Sequence, residues 1–325
     1  MINIAVLGYG TVGSGVVEVL DTNRECISQR VGEEIRVKYV LDLRDFPGDP
    51  VQNILVHNFE EIIRDEDVKI VVEVMGGIEP AYTFVKRSLL AGKSVATSNK
   101  ALVAKHGAEL LSIAKEKQIN FLFEASVGGG IPIIRPLNSS MTADEIEEIT
   151  GILNGTTNYM LTKMFYEGAG YEEVLRQAQE NGYAEKNPEA DVEGYDACRK
   201  IAILSSLISG HQVDFEDIYT EGITEITERD MEYAKQMQMT IKLLASSRRS
   251  GECLSAIVAP CLLENTHPLL ESMEYLMRFC TWKCTWGCDV LWKWRGKTSD
   301  RECSCGRCCG GSKKSEPQCY DHVEE

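Results

Sequence analysis

The chain opens with a short apolar run at 2–7 that stops at glycines, followed at 12–20 by apolar residues at helical spacing. Strand-like apolar runs recur at 35–41, 70–74, 94–97 and 119–123. Helical patterns at 80–90 and 101–117 separate the later runs. Short apolar runs alternating with helices predict βαβ units and a doubly wound parallel sheet. From about Ile131 the pattern changes, with Pro132 and Pro136 punctuating the chain. An alternating strand at 146–153 then precedes three helical stretches near 158–167, 171–181 and 194–209. Two further strand-like runs, 241–246 and 254–262, predict a second domain of mixed α+β type. The expected division is a nucleotide-binding domain at 1–134 and a substrate-binding and dimerisation domain at 135–272.

Composition narrows the function classes. A net charge of −16 over 325 residues excludes a broad nucleic-acid-binding or anionic-membrane surface, because those partners need basic patches. No apolar run is long enough to span a bilayer, and the first residues enter a strand without a basic leader. The expected setting is the cytoplasm. Cys26, Cys198, Cys253 and Cys261 are scattered singly, as reduced thiols are in cytosolic proteins. The five histidines show no ligand spacing and read as structural.

The first chemical motif is Gly8-Tyr9-Gly10-Thr11-Val12-Gly13, placed between the first strand and the first helix. Its glycines suit a tight turn, close approach of backbone to a pyrophosphate, and helix–strand packing. The helix N-terminus favours the phosphate charge. At the end of the second predicted strand stand Asp42 and Arg44. A carboxylate there would accept from the ribose 2′-hydroxyl of NAD, whereas an arginine would receive the 2′-phosphate of NADP. Both are present, so the sequence leaves NAD and NADP open. Asp196 and Lys200 are four residues apart on a predicted helix and share a face. Taken alone, such a pair also suits a surface ion pair.

The string around that pair is far more specific. It runs Ala178…Gly182-Tyr183-Ala184-Glu185-Lys186-Asn187-Pro188…Asp191-Val192-Glu193-Gly194-Tyr195-Asp196…Lys200 and resembles the homoserine dehydrogenase signature at every fixed point. Asn187 stands where the family usually has Asp. The glycine motif and the stretches VEVMGGIEPA (72–81), ATSNKALVA (96–104), FEASVGGGIPII (123–134) and GILNGTTNYML (151–161) resemble the same family. The resemblance covers residues 2 to about 270. It implies an NAD(P)-dependent oxidoreductase, a homodimer, that interconverts L-homoserine and L-aspartate 4-semialdehyde in threonine and methionine biosynthesis. It implies Lys200 as general acid and base, Lys100 as its assistant beside the nicotinamide, and Glu185 and Asp196 as holders of the substrate's ammonium and hydroxyl ends. It also implies that Glu124, Val127, Gly129 and Ile131 bind a monovalent cation such as Na+, for which oxygen-rich turns are suited.

The end of the chain has another character. Eight cysteines crowd between Cys280 and Cys319, and all four tryptophans (Trp282, Trp286, Trp292, Trp294) lie there too. Cys303/Cys305 and Cys308/Cys309 have poor spacing for zinc. A shift of reading frame accounts for the composition, since TGG read from its second base gives glycine, and four glycines at spacings of 4, 6 and 2 suit the family's missing stretch. On this reading 273–325 is an aberrant tail without sustained period, expected to be irregular and not to dock on the sheet. The competing reading of function is a non-catalytic product that still binds nucleotide or dimerises.

Overall fold

The computed structural model describes residues 1–139, 145–270 and the backbone of 275–282 and 288–293. Its first half runs β1 (Ile2–Leu7), α1 (Thr11–Thr22), α2 (Arg24–Val31), β2 (Ile35–Leu41), β3 (Leu55–Val56), α3 (Phe59–Arg64) and β4 (Val68–Glu73). It continues through α4 (Ala81–Leu90), β5 (Ser94–Thr97), α5 (Lys100–Glu116) and β6 (Phe121–Leu122). The six strands form one parallel sheet in the order β3-β2-β1-β4-β5-β6. The winding direction therefore reverses between β1 and β4, which opens a crevice at the carboxyl ends of those strands. The apolar runs of the sequence follow from burial on both faces of the sheet. Ile4 and Val6 of β1 pack with Val16 and Leu20 of α1, while Ala5 and Leu7 join the cluster containing Val85, Leu89 and Leu102 of α4 and α5.

The second half runs α6 (Ala125–Gly128), α7 (Ile134–Ser139), β7 (Ile146–Gly151), α8 (Gly155–Glu167), α9 (Tyr171–Glu180), α10 (Glu189–Val192) and α11 (Tyr195–Ser209). Then come β8 (Tyr219–Thr220), α12 (Glu228–Gln236), β9 (Met239–Ser250), β10 (Cys253–Glu264), β11 (Tyr275–Trp282) and β12 (Cys288–Lys293). The second sheet has the order β12-β11-β7-β9-β10-β8. Its pairings are antiparallel except for β8, which lies parallel to β10. The structure is thus a Rossmann-type doubly wound sheet joined to a second α+β unit, as the hydrophobic pattern predicts. Among the described residues no helix is long and apolar enough to cross a membrane.

One expectation is overturned. The segment beginning at 273 was expected to stay off the sheet, yet β11 pairs with β7 from Arg278↔Gly151 to Trp282↔Ile146, and β12 pairs with β11. The physical reason is that the free edge of β7 offers a row of backbone donors and acceptors, which another extended segment satisfies whatever its side-chain pattern. The cysteine pairs at 303–309 lie outside the described residues. The hydrophobic pattern also passes over α2 and α12. No residue of α2 is buried, so it carries no apolar stripe to read. Helix α12 announces itself differently, through a capping box in which Thr227 and Asp230 satisfy each other's backbone N–H groups.

Candidate active site

The glycine motif sits at the carboxyl edge of the parallel sheet, between β1 and α1. Gly8 has φ +99°, a left-handed value that a side chain would strain, and its N–H donates to the Leu41 carbonyl (2.8 Å). A Cβ on Gly13 would lie 1.9 Å from the Gly8 carbonyl oxygen, so the close packing of helix on strand requires glycine there. Gly10 differs: a Cβ on it would meet no protein atom within 4 Å. Gly10 is also the N-cap of α1, with no side chain capping the helix, so the first N–H groups of α1, at Thr11 and Val12, face outward without a side-chain acceptor. This is a cradle for an anion such as a pyrophosphate.

Asp42 and Arg44 lie beside that loop and bind each other. One Asp42 oxygen accepts from the Tyr9 N–H (2.8 Å), and the two oxygens accept from Arg44 Nε (3.0 Å) and its NH2 group (3.1 Å). Arg44 also reaches the Tyr9 carbonyl (3.3 Å) while its side chain remains 63% exposed. The guanidinium holds the Asp42 carboxyl well below the usual carboxylate range, outweighing partial burial. His57, which carried no motif in the sequence, contacts the Asp42 carbonyl through Nδ1 (2.7 Å) and Asp45 through Nε2 (3.3 Å). The hydrogen bond to the Asp42 carbonyl, with smaller contributions from Asp45 and the Asp42 charge, raises its pKa against mild desolvation.

At the same edge Lys100 opens α5, and α11 presents Asp196 and Lys200 from the second unit. Asp196 is buried and bridges both lysines: one oxygen contacts Lys100 Nζ, and the other contacts Lys200 Nζ (2.7 Å). The face shared by Asp196 and Lys200 is therefore real, and its third member comes from 96 residues away. Lys200 also donates to the Leu153 carbonyl (2.8 Å). Burial alone would raise the Asp196 pKa, but the two ammonium groups outweigh it and hold the carboxyl far down. For Lys100, burial pulls the pKa down and the Asp196 charge more than restores it, leaving it raised. Two further residues complete the cluster. Asn154, the N-cap of α8, donates to Asp196 (3.0 Å) and to Asp191 (2.7 Å). Burial and the neighbouring Asp196 raise the Asp191 pKa. The signal for Asn154 was its Asn-Gly step just before a helix, an N-cap pattern that says nothing of Asp196.

The remaining expected residues separate into two places. Glu185 is exposed, and its carbonyl accepts from Gln179 (3.1 Å); the structure does not join its carboxylate to the lysine cluster. Glu124 is buried and accepts from the N–H groups of Ile134 (2.6 Å) and Arg135 (2.9 Å), as well as Ile133, so it caps α7. Val127 lies in α6, Gly129 turns with φ +57°, and the Ile131 N–H donates to the Gly128 carbonyl (2.9 Å). Beyond α11, the Gln212 side-chain amide donates to the Ala104 carbonyl (2.5 Å) and accepts from the Ala108 N–H (3.2 Å). Those two groups of α5 are ordinarily partners of each other, so Gln212 inserts into the helix ladder.

Two family models match the chain: homoserine dehydrogenase over residues 132–283, and the NAD binding domain of homoserine dehydrogenase over residues 8–124. The first of these reaches into β11, beyond the point near 270 where the resemblance was expected to stop. Homoserine dehydrogenase of Bacillus subtilis is 42% identical over 272 residues, which is 82% of this chain and 63% of that protein. The chain thus spans less than two thirds of the length of that relative. A homoserine dehydrogenase structure from Thiobacillus denitrificans superposes with TM-score 0.87 at 36% identity, covering 95% of this chain and 72% of that one. A hyperthermophilic archaeal homoserine dehydrogenase in complex with NADPH superposes with TM-score 0.80 at 25% identity, covering 94% of this chain and 96% of that one.

Proposed function

The chain belongs to the homoserine dehydrogenase family, and we propose that it catalyses NAD(P)-dependent interconversion of L-homoserine and L-aspartate 4-semialdehyde, a reaction of threonine and methionine biosynthesis. The observation that carries the proposal is the buried Asp196 holding Lys100 and Lys200 at the carboxyl edge of a sheet whose glycine loop suits a dinucleotide. A bound nicotinamide would supply or accept the hydride. Lys200, ion-paired with Asp196, gives its proton to the aldehyde oxygen in reduction and takes it back in oxidation. Lys100, on the nucleotide side of the same carboxylate, assists that transfer and orients the substrate. Glu185, whose carboxylate makes no ion pair among the described residues, is offered to the substrate ammonium, and Asp196 to its hydroxyl end. The glycine loop from Gly8 to Gly13, with Thr11 and Val12 at the helix start, holds the pyrophosphate. Arg44 occupies the oxygens of Asp42 and stays exposed, which supports a preference for the 2′-phosphate of NADP.

Glu124 is a buried carboxyl with no ion-pair partner among the described residues, which supports a monovalent cation beside Val127, Gly129 and Ile131. Ile257 and Leu262 of β10 and Tyr219 of β8 expose apolar surface, which supports a homodimer built on the second unit. Cys26, Cys198, Cys253 and Cys261 are free, in keeping with the cytoplasm. We place the division of the units near 134, where α7 begins.

The test is Lys200→Ala in the full chain, assayed for semialdehyde reduction by NADPH and for NADPH affinity by fluorescence. Turnover should fall by about 10²–10⁴, the range of general acid–base catalysis, with affinity nearly unchanged. A loss of less than about tenfold would remove Lys200 from the chemistry.

A further inference from the structure

Glu73 ends β4 with its side chain fully buried, and a glutamate is rarely found in that state without an ion-pair partner. Its hydrogen bonds instead go to neutral groups at the edge of the sheet. One oxygen accepts from the Met75 N–H (2.8 Å), and the other contacts the Thr97 hydroxyl. Thr97 Oγ1 in turn accepts from the Asn99 N–H (2.9 Å). Asn99 caps α5, accepting from the Leu102 N–H (3.1 Å) and donating its amide to the Gly77 carbonyl (2.6 Å). Lys100 is the next residue. We propose that Glu73 is a positioning residue, which through Thr97 and Asn99 fixes the turn presenting Lys100 and ties it to the loop following β4.

This inference rests on the reading of Lys100 as part of the reaction machinery, and it gives Lys100 its origin of placement. The loop after β4 is also the neighbour of the glycine motif, since a Cβ on Gly8 would lie 3.1 Å from Met75 Cγ. One carboxyl group thus ties the loop after β4, which lies against the glycine motif, to the lysine turn. Lys100 must meet Asp196 across from the second unit, and misplacement by about 1 Å can cost about 10² in rate. Near neutral pH the carboxyl is held in part in its acid form. Burial raises its pKa to about 7, against smaller opposing effects of Thr97, Met75 and Asn99. Of the charged residues nearby in the chain, Lys100 pairs with Asp196 and Glu79 accepts from Thr83. A protonated carboxyl still accepts from Met75 with one oxygen and donates to Thr97 with the other, as a glutamine would.

The experiment compares Glu73→Ala, Glu73→Gln and Thr97→Val in the full chain. Two measurements are made: steady-state reduction of the semialdehyde, and amide hydrogen exchange of the peptide covering 97–103 without coenzyme. For Glu73→Ala, kcat should fall by about 10² with KM within about threefold, because the residue places a catalytic group without touching substrate. Exchange in 97–103 should quicken. Glu73→Gln should restore both to near wild-type values, and Thr97→Val should resemble Glu73→Ala, which covers the case in which Glu73→Ala does not fold. Wild-type kcat and wild-type exchange in Glu73→Ala, or in Thr97→Val if only that variant folds, would overturn the proposal. A wild-type chain inactive on homoserine and its semialdehyde would sink the dehydrogenase reading instead. The exchange comparison then decides the positioning role alone: faster exchange without the carboxyl supports it, and equal exchange overturns it.

Discussion

Replacing Asp196 by Asn removes one negative charge from between two lysines while keeping nearly the same shape. Stripping one partner from a buried ion pair generally costs about 3–5 kcal/mol, because a charge is left uncompensated. The two lysines do not contribute equally. The Lys200 side chain is 16% exposed and bears most of the penalty. That of Lys100 is 45% exposed, so solvent screens it and its share is about 0–1 kcal/mol. The expected loss is therefore near the lower end, about 3 kcal/mol. The amide adds a mismatch, since its NH2 group must face either an ammonium or the Asn154 amide that now donates to Asp196. Because the folded carboxyl is held below its ordinary value of 3.8, its contribution is present at neutral pH. The difference between wild type and variant should persist above the unfolded-state pKa and close only as acid protonates the carboxyl. Urea unfolding followed by far-ultraviolet circular dichroism from pH 2 to 8 measures this. Turnover at pH 7 should fall by about 10²–10⁴, as the lysines lose the group that orients them. A change under about 1 kcal/mol with rates within about tenfold would refute the reasoning, leaving the lysines placed by something other than Asp196.

Two further outcomes are expected. Gly13→Ala drives a Cβ into the Gly8 carbonyl, so it should destabilise the fold by about 1–3 kcal/mol and abolish dinucleotide binding, whereas Gly10→Ala, which meets no protein atom, should weaken only the binding; equal thermal unfolding of the two variants would contradict this. Lys242 is buried against Asn158 and Thr162, and burial lowers its pKa from 10.5 to about 8, a cost to the charged folded state of about 3 kcal/mol. Lys242→Met should therefore leave the chain as stable or up to about 2 kcal/mol more stable at pH 7, after about 1–3 kcal/mol is lost with the hydrogen bonds, and wild type should gain on the variant as pH rises from 8 to 10.5. A difference in urea unfolding that stays constant from pH 8 to 10.5 would show that folding does not lower the pKa of this lysine.

How far the structure could be read in advance depended on the range of the interactions. The parallel sheet was legible because β1, the end of β2 and most of β4 are buried on both faces, which leaves short apolar runs in the sequence. The glycine loop was legible because its constraints act within six residues, as between Gly8 and Gly13. The pairing of Asp196 with Lys200 lies within one turn of α11, while the resemblance put Lys100 beside the nicotinamide without joining it to that carboxylate. Glu73 and Thr97, 24 residues apart, and Asn154 and Asp196, 42 apart, left no local pattern at all. The docking of β11 was misjudged because side-chain periodicity was taken as the condition for joining a sheet, whereas the edge of β7 asks only for backbone.

The insertion of Gln212 into α5 has a mechanical consequence. Helices α5 and α11 come from the two units, and they are pinned together twice, at Lys100–Asp196 near their starts and through Gln212 beyond the end of α11. Two pins define a line, like those of a door. Sliding one helix along the other would break both attachments, whereas turning about the line disturbs neither. Any rotation of one helix against the other that keeps both attachments is then confined to that line, on which the lysine and its carboxylate lie.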